Sequence, residues 1–401
     1  MSPTSESAES VLRAHEGGKL EVRSKVPLRT RDDLARYYTP GFTRVAEAIA
    51  ADPDSAYRWS VKGNTVAIVT DGTAVSGLGD LGPEAALPVM EGKALLFREF
   101  AGIDAFPLCL RTTNVDEIVR VVTCIVPSFG GIMLEDISAP RCFAIEDRLR
   151  AELDVPVLHD DQHATAVSTV AALINAAKYT GKKVRDLTVV ISGAGAAGTS
   201  TARLAMQAGV VNIIACDRQG AIHSGRDGLS DAKRWFAEHT NPERRTGALL
   251  DVLAGADVFI GLSGPGVVTP GDLRVMATGP IVFALSNPVP DLLPEDVRDL
   301  VAVIGTGRSD YPNQIDCGLC YPGIFRGALD AGATCINDEM KLAAVHAIVG
   351  LVDAGSLARG QVVPDIFDGV APHVAAAVST AARDSGVVRA QRVPHVQAQP
   401  G

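Results

Sequence analysis

Two pairs of carboxylates stand next to apolar runs of this chain. Glu135 and Asp136 interrupt the segment GIMLEDIS, and Asp160 and Asp161 follow VPVLH. Burying an unpaired charge is costly, so acids in such surroundings need a partner. Three carboxylate oxygens supply half of the octahedral shell that Mg²⁺ or Mn²⁺ prefers, and they leave places for water and a chelating substrate. The alternative is that these acids are helix caps or turn residues on a solvated face.

A second candidate site is the glycine-rich segment VVISGAGAAGTSTARL. Gly193, Gly195 and Gly198 fit the pattern G-x-G-x-x-G after an apolar run and at the start of a helical one. Glycines allow a tight turn and a close approach to a pyrophosphate, whose charge the helix N-terminus attracts. We therefore predict that this turn, with Ala196 and Ala197, binds a dinucleotide. A purely structural glycine turn is the alternative.

The next apolar run, NIIACD, ends at Asp217. An acid at this place, about 20 residues after the glycine motif, binds the ribose hydroxyls of NAD. Its charge would repel the 2′-phosphate of NADP, so we predict NAD. Arg218 follows directly and can offset that repulsion, so NADP stays possible.

Two folded regions must position these groups, and we predict an α/β protein. Region 16–164, with the strand TVAIVTDGT and a helix over 116–124, would carry the metal and the substrate. A helix over 165–179 would join it to region 165–390. We expect segments 1–15 and 391–401 to be loosely ordered.

The second region alternates short β-branched runs with helical segments. The runs are LTVVIS, VNIIACD, DVFIGLSG, PIVFALSNP and VAVIGTG. Such alternation predicts a doubly wound parallel sheet covered on both faces, here a Rossmann-type NAD-binding domain. Two long helices are predicted near the end, over 337–353 and 370–384.

Composition narrows the partners. The 401 residues are 47% apolar and 21% charged, and the net charge of −10 argues against nucleic acid or an anionic membrane. No apolar run reaches the ~18 residues of a membrane span, and the N-terminus lacks the features of a secretory signal. Seven scattered cysteines indicate reduced thiols in a cytoplasm. Cys317 and Cys320 form a single C-x-x-C pair, which we interpret as packing residues rather than a zinc site.

From about 29 to 382 the chain resembles the short, bacterial-type malic enzymes. The segments that carry the resemblance occur in order, which makes them more specific together than singly: YYTPGF, VTDGTAV, GLGDLGP, PVMEGKALLF, FGGIMLEDISAPRCF, HDDQHATA, GAGAAG, ALSNPVP, TGRSDYPNQ, YPGIFRGALD and INDEMKLAA. Such enzymes oxidise the 2-hydroxyl of malate by hydride transfer to NAD(P)⁺, release CO₂ and protonate the enolate to pyruvate. Small members of the family are commonly homodimers, so the resemblance implies a homodimer acting on a small molecule.

The resemblance also implies roles for residues. Glu135, Asp136 and Asp161 match the metal ligands, and Asp160 would orient the general base. Lys93 in MEGKALLF matches the catalytic lysine, and near a metal and partly desolvated its pKa is expected to fall. On residue type alone, Lys93 would be a surface lysine whose stem covers apolar neighbours.

Two further residues match the family. Tyr38 in YYTPGF matches the acid that protonates the enolate, and Asn287 in SNP matches an amide beside substrate and nicotinamide. The alternatives are that Tyr38 is an amphipathic packing residue and that Asn287 is only a turn residue before Pro288.

The chain departs from the family close to the chemistry. Ala164 and Met133 stand where the family commonly has Gly and Asn, and Asp316 and Cys317 replace the two asparagines of PNQ-x-Asn-Asn. We hypothesise that Asp316 faces the substrate and disfavours malate, because an ionised carboxylate cannot donate a hydrogen bond. Alternatively Asp316 turns away, is protonated, or meets a substrate hydroxyl or amine.

The predicted function is oxidative decarboxylation of malate, or a close β-carboxy-2-hydroxy acid, with NAD(P)⁺ and Mg²⁺ or Mn²⁺. Two alternatives remain: the same chemistry on a different hydroxy acid in specialised metabolism, and a non-catalytic binding homologue.

Overall fold

The computed structural model describes residues 8–389. Helix α1 (Ala8–Ala14) forms within the N-terminal segment expected to be loosely ordered, whereas residues 1–7 and the tail 391–401 lie outside the described part. Among residues 8–389, no helix combines the length and apolarity that crossing a bilayer requires.

The first region is built on a parallel sheet. Its strands are β1 (Thr65–Thr70), β2 (Asp104–Cys109), β3 (Gly131–Leu134) and β4 (Val157–His159), in the order β2-β1-β3-β4. Every residue of β1, TVAIVT, is buried, as expected for a β-branched central strand. The helices of this region are α2 (Arg31–Tyr37), α3 (Gly41–Ala51), α4 (Ala56–Trp59), α5 (Pro83–Ala101), α6 (Val115–Ile125) and α7 (Arg141–Glu152).

The second region has a six-stranded sheet. Its strands are β5 (Thr188–Ser192), β6 (Asn212–Asp217), β7 (Gly220–Ala221), β8 (Val258–Gly261), β9 (Ile281–Ala284) and β10 (Val303–Thr306). The order is β10-β9-β8-β5-β6-β7, and only the β6–β7 pairing is antiparallel. Its helices are α8 (Thr165–Tyr179), α9 (Ala196–Gln207), α10 (Asp231–His239), α11 (Leu249–Leu253) and α12 (Pro294–Val297). The predicted α/β class with a doubly wound sheet is confirmed.

The chain ends in helices that pack back on the first region. They are α13 (Tyr321–Ala331), α14 (Asp338–Leu351), α15 (Ala354–Ala358) and α16 (Val370–Asp384). Helices α13 and α16 both contact α5, and one apolar core includes Phe97, Phe325 and Val189. This packing presses the start of α13 against the helix that carries Lys93.

Candidate active site

The carboxyl edge of the four-stranded sheet collects the acids. Strands β3 and β4 are parallel neighbours with Leu134 opposite His159, so the residues that follow both strands emerge together. Asp160 then opens a π-helical turn, Asp160–Ala164. One side-chain oxygen from each of three acids lies within 4.8 Å of the others: Glu135, Asp136 and Asp161.

These acids fit a hard divalent cation. Glu135 is buried, and its Oε2 has no hydrogen-bond partner among residues 8–389. Burial and the charge of Asp160 raise the pKa of Glu135 well above its usual value, although Lys93 opposes this. A buried oxygen that lacks a donor, within a cluster of carboxylates, suits Mg²⁺ or Mn²⁺, which take oxygen ligands.

Asp161 is held in the cluster by neighbouring groups. The backbone N–H of Asp136 donates to Asp161 Oδ2 at 3.2 Å, and His159 Nε2 lies 3.3 Å from the same oxygen. Burial opposes ionisation of Asp161, but His159, Lys93 and the backbone N–H of Asp136 together outweigh it and lower the pKa of Asp161. Asp136 itself has φ of +54°, in the left-handed region where few residues other than glycine occur.

Lys93 reaches the same edge from α5. Its Nζ lies 2.5 Å from Asp160 Oδ2, 3.2 Å from Glu135 Oε1 and 3.0 Å from Cys317 Sγ. The expectation that its pKa falls is wrong for the chain by itself. Burial alone would lower the pKa of Lys93, but the surrounding negative charges, first of all Asp160, raise it well above its usual value.

Two side chains that support this cluster were missed by the sequence analysis. Tyr321 donates from its hydroxyl to the backbone carbonyl of Lys93 at 3.2 Å, and its ring lies 5.3 Å from Lys93 Nζ. Its signal was its place in the segment YPGIFRGALD. Because Tyr321 begins α13, the C-terminal helices help to position the lysine.

The second missed residue is Glu146, a charged residue on the buried face of α7. It accepts hydrogen bonds from the backbone N–H of His159 (3.2 Å) and from Gln162 Nε2 (2.8 Å), and it contacts His163 Nε2 at 2.9 Å. Burial opposes its ionisation, but His163, with smaller contributions from His159 and Arg150, outweighs burial, and the pKa of Glu146 falls to about 2. Glu146 therefore fixes both ends of the turn that carries Asp160.

Asn287 of the second region lies against the glycine-rich segment of the first. Asn287 follows β9, and its side chain is exposed. Its backbone carbonyl contacts Gly77 so closely that a Cβ on Gly77 would lie 1.9 Å from it. Gly77 also has φ of +76°, so both space and backbone favour glycine there. The segment GLGDLG therefore contacts the loop that presents the Asn287 amide.

The glycine turn has the geometry of a pyrophosphate cradle. Gly193 has φ of +119°, and a Cβ on Gly198 would lie 1.9 Å from the Gly193 carbonyl. A Cβ on Gly195, in contrast, would meet no atom within 4 Å, so this residue faces open space at the start of α9. Helix α9 begins with Ala196 and Ala197. Gly193 thus permits the backbone turn, Gly198 permits close packing against it, and Gly195 borders the space that a ligand would fill.

Asp217 already forms ion pairs with two basic side chains. Arg226 NH2 lies 2.8 and 2.6 Å from its two carboxylate oxygens, and Lys233 Nζ donates at 2.6 Å. These contacts outweigh desolvation and lower the pKa of Asp217 to about 2. Arg218 is exposed beside it. The negative charge expected to repel a 2′-phosphate is therefore offset, and the sequence showed only Arg218 as a source of this effect.

Tyr38 stands apart from the cluster. It follows α2, is 62% exposed, and packs on Phe42 with 5.7 Å between ring centroids. Neither α2 nor α3 contains a buried residue. The same surface exposes further apolar side chains: Leu34, Tyr37 and Val45. None of the interactions described for Lys93 involves Tyr38.

The four departures from the family differ in their surroundings. Met133 and Ala164 are fully buried. Asp316 Oδ1 accepts a hydrogen bond from Gly318 N at 2.7 Å and caps the 3₁₀ turn Cys317–Leu319, and burial raises the pKa of Asp316. Cys317, rather than Asp316, contacts the amine of Lys93.

The second region is a Rossmann-type domain with a G-x-G-x-x-G turn. The first region contributes a parallel sheet whose carboxyl edge carries three acids and a lysine. Together these features define a two-domain dinucleotide-binding protein. Two family models match this chain: malic enzyme, N-terminal domain, over residues 17–150, and malic enzyme, NAD binding domain, over residues 162–383. The chain belongs to the malic enzyme family.

Relatives of known function support this membership. The chain is 55% identical over 383 residues to an NAD-dependent malic enzyme of Geobacillus stearothermophilus, covering 95% of this chain and 80% of the relative. It is 53% identical over 375 residues to a bifunctional malic/malolactic enzyme of Bacillus subtilis, covering 93% and 92%. The crystal structure of malic enzyme from Pyrococcus horikoshii Ot3 superposes with a TM-score of 0.90 at 42% identity, covering 96% of this chain and 92% of that one.

Proposed function

We propose that this chain oxidatively decarboxylates malate, or a close β-carboxy-2-hydroxy acid, to pyruvate or its analogue and CO₂, with reduction of NAD(P)⁺. The observation that carries the proposal is the buried contact of Lys93 with Asp160 and Glu135 at the edge of the acid cluster. A base, a metal site and a dinucleotide turn are the groups that this reaction requires. We take the boundary between the two regions to lie near residue 164, so that the reaction would occur between them.

The acids and the lysine have different roles in the proposed reaction. A Mg²⁺ or Mn²⁺ ion held by Glu135, Asp136 and Asp161 would stabilise negative charge on substrate oxygens and offset the field that keeps the proton on Lys93. Lys93 Nζ takes the proton of the 2-hydroxyl. NAD(P)⁺ held at the glycine turn would supply the hydride acceptor for C2. Asp160, 2.5 Å from Nζ, orients that amine.

Two further residues complete the proposed site, one for binding and one for proton transfer. Asn287 presents its exposed amide to substrate and nicotinamide from the end of β9. After CO₂ leaves, the hydroxyl of Tyr38 donates a proton to the enolate carbon. Lys93, protonated in the first step, stands beside Asp160 and can return a proton to the phenolate.

For the cofactor, we propose that both dinucleotides bind, with NAD preferred. Asp217 would accept hydrogen bonds from the ribose hydroxyls of NAD. Arg226 and Lys233 already neutralise this carboxylate, so the penalty for a 2′-phosphate is reduced. Asp217→Ser should therefore change the ratio of kcat/KM for NAD and NADP by less than about tenfold. A larger change would mean that Asp217 alone selects the cofactor.

We propose a homodimer in which the α2–α3 hairpin of one chain packs on its partner and delivers Tyr38 to the partner's Lys93. The hairpin exposes an apolar face that nothing in its own chain covers in the described part. A second copy offers a matching apolar surface, because Leu87 and Leu95 are exposed on α5 and Phe106 on the neighbouring edge strand β2. Burying such side chains favours association.

We further propose that the enzyme works in the cytoplasm, where its seven free cysteines would stay reduced. Its partners would then be the small-molecule substrate, the dinucleotide and its own second copy.

The test is a panel of 2-hydroxy acids with NAD⁺ or NADP⁺, in the presence of Mn²⁺, read by absorbance of the reduced cofactor and by quantified pyruvate. Lactate is measured as well, because one relative is described as a bifunctional malic/malolactic enzyme. We expect malate or a close analogue to give stoichiometric reduced cofactor and 2-oxo product, and Lys93→Ala to remove both. Turnover of an unrelated hydroxy acid alone would favour the specialised alternative. Cofactor binding without any turnover would favour a binding homologue and contradict the proposal.

A further inference from the structure

Asp291 is a buried acid that none of the proposed reaction steps involves. It is 4% exposed, and three backbone N–H groups donate to its carboxylate. Ser263 and Gly264 donate to Oδ1 at 3.3 and 3.0 Å, and Ser286 donates to Oδ2 at 3.1 Å. A buried carboxylate requires such donors, so these hydrogen bonds fix the side chain of Asp291 and the three amides to one another.

The three donors belong to two different loops. Ser263 and Gly264 lie in the loop after β8, whereas Ser286 lies in the loop after β9 and directly precedes Asn287. Strands β8 and β9 are parallel neighbours, so both loops leave the carboxyl edge of the sheet side by side. One carboxylate therefore ties these two loops together.

Gly261, the last residue of β8, leaves the space that this carboxylate fills. A Cβ on Gly261 would lie 2.4 Å from Asp291 Cγ and 2.6 and 2.8 Å from its two oxygens. The backbone of Gly261 is part of a strand and has no left-handed φ. Glycine is therefore needed here for the close approach of Asp291, as a glycine inside a strand often is.

The two loops border the half of the dinucleotide site that lies away from Asp217. In the strand order β9-β8-β5-β6, the glycine turn follows β5 and Asp217 ends β6. A dinucleotide with its pyrophosphate at the glycine turn and its adenosine ribose at Asp217 extends its other half over β8 and β9. The loop after β8 also touches the glycine turn, because a Cβ on Gly193 would lie 2.9 Å from the Leu262 carbonyl oxygen.

We propose that Asp291 is a positioning residue for the nicotinamide half of the dinucleotide. By accepting three backbone N–H groups, it fixes the loop that borders the glycine turn against the loop that presents the Asn287 amide. NAD(P)⁺ then meets loops that are already ordered, which lowers the entropy lost on binding. The inference rests on the proposed function for its ligand, and it assigns Asp291 no contact with the reacting atoms.

The test compares binding of NAD⁺ with binding of ADP, which lacks the nicotinamide riboside. Asp291→Asn keeps the shape of the side chain, but its amide NH₂ is a donor and must face at least one of the three backbone N–H groups. Titration calorimetry without metal should show a Kd for NAD⁺ about tenfold higher than that of the wild type. The Kd for ADP should not change. With malate and Mn²⁺, kcat should fall at least about tenfold, because the nicotinamide is misplaced.

Gly261→Ala reaches the same contact from the neighbouring strand. Its Cβ would displace the carboxylate of Asp291, so this variant should also weaken NAD⁺ binding and leave ADP binding unchanged. If Asp291→Asn does not fold, Gly261→Ala decides. Asp299→Asn, which changes an exposed acid beyond α12, is the matched control and should bind both ligands like the wild type.

Two binding results would overturn the inference: unchanged NAD⁺ binding in both variants, or an equal loss of NAD⁺ and ADP binding, which would show a general structural role. In the wild type without ligand, amide hydrogen exchange at Ser263, Gly264 and Ser286 should be slow, and fast exchange would overturn the inference without any variant. None of these measurements requires turnover. A protein that binds NAD⁺ but does not oxidise malate would therefore contradict the proposed function alone.

Discussion

The acid–lysine cluster and the α2–α3 hairpin are opposite kinds of structure within one chain. In the cluster, Lys93 touches three neighbours within 3.2 Å, and Glu135 and Asp160 are nearly inaccessible. In the hairpin no residue is buried, although Tyr38 and Phe42 are large and apolar. The difference teaches that one chain folds the acid–lysine cluster into place by itself, whereas the hairpin that carries Tyr38 lacks a surface to fix it among the described residues.

The hairpin has local stabilisation but little beyond it. Thr30 and Asp33 form a reciprocal capping box at the start of α2. Helices of seven and eleven residues are nevertheless marginal in water, and packing of an apolar face normally stabilises them. In the proposed homodimer, the second copy would supply the surface that fixes the hairpin's position. The following predictions test this difference between the acid–lysine cluster and the α2–α3 hairpin, from the largest expected effect to the smallest.

Removing a charged metal ligand should be the most damaging change. Asp161→Asn keeps the shape of the side chain but removes the charge of one of three clustered acids. We expect kcat/KM to fall at least about a thousandfold, since metal and transition-state stabilisation are lost together. Mn²⁺ binding by titration calorimetry should weaken, while circular dichroism stays unchanged. Asp147→Asn, on an exposed face of α7, is the matched control. Full turnover by the Asp161 variant, or by chelated wild type, would disprove the metal site.

The tyrosine should matter for rate and not for stability. Tyr38→Phe removes one proton donor from an exposed helix end, so we expect kcat to fall roughly a hundredfold and Tm to stay within about 1 °C. Tyr37→Phe, on the same exposed hairpin, should change neither quantity much. A Tyr38 variant that keeps full kcat would remove this residue from the mechanism.

The sequence predicted local features of the molecule well and long-range contacts poorly. The helices over 165–179 and 370–384 were predicted with the bounds that the structure has, because their apolar patterns are local. The glycine turn and the clustered acids also lie within short motifs, so they were recognisable. The long-range contacts were not: Arg226 and Lys233 return to Asp217 from a later loop and helix, and Tyr321 returns to Lys93 from far along the chain.

The charge balance around Lys93 was also beyond the sequence. Its raised pKa depends on how closely Asp160 and Glu135 approach, which only tertiary packing sets. The exposure of Tyr38 likewise has no sequence signal, because a short motif does not show which of its side chains the rest of the chain will cover.

Behind the cluster, Glu146 should affect stability more than chemistry. Its pKa of about 2, against a usual 4.5, means that its ionised form stabilises the fold above about pH 4.5, and that this contribution is lost as pH falls toward 2. The gap corresponds to about 3 kcal/mol. Because burial lowers the pKa of His163 below its usual 6.5, His163 loses its charge before neutral pH and its ion pair with Glu146 weakens there. Glu146→Gln should therefore lower Tm most near about pH 5, with the deficit shrinking as pH falls toward 3. Equal deficits at pH 5 and pH 3 would contradict this electrostatic role.

The smallest effect concerns substrate preference. Cys317→Asn places an amide donor beside Lys93, so kcat/KM for malate should rise severalfold, mainly through KM. Asp316→Asn preserves the acceptor for Gly318 N and should raise it less. Asp316 would be the discriminating group, as we hypothesised from the sequence, if its variant gave the larger gain.

A heterodimer tests most directly whether Tyr38 acts in the site of its partner. Chains carrying Tyr38→Phe and Lys93→Ala, each nearly inactive as a homodimer, are co-expressed with different affinity tags and isolated as the mixed species. If Tyr38 serves its partner, one of the two sites regains an intact lysine and an intact tyrosine. The heterodimer should then have about half of the wild-type kcat per dimer. If Tyr38 serves its own chain, both sites keep one defect, and activity no higher than that of the two parents would contradict the account.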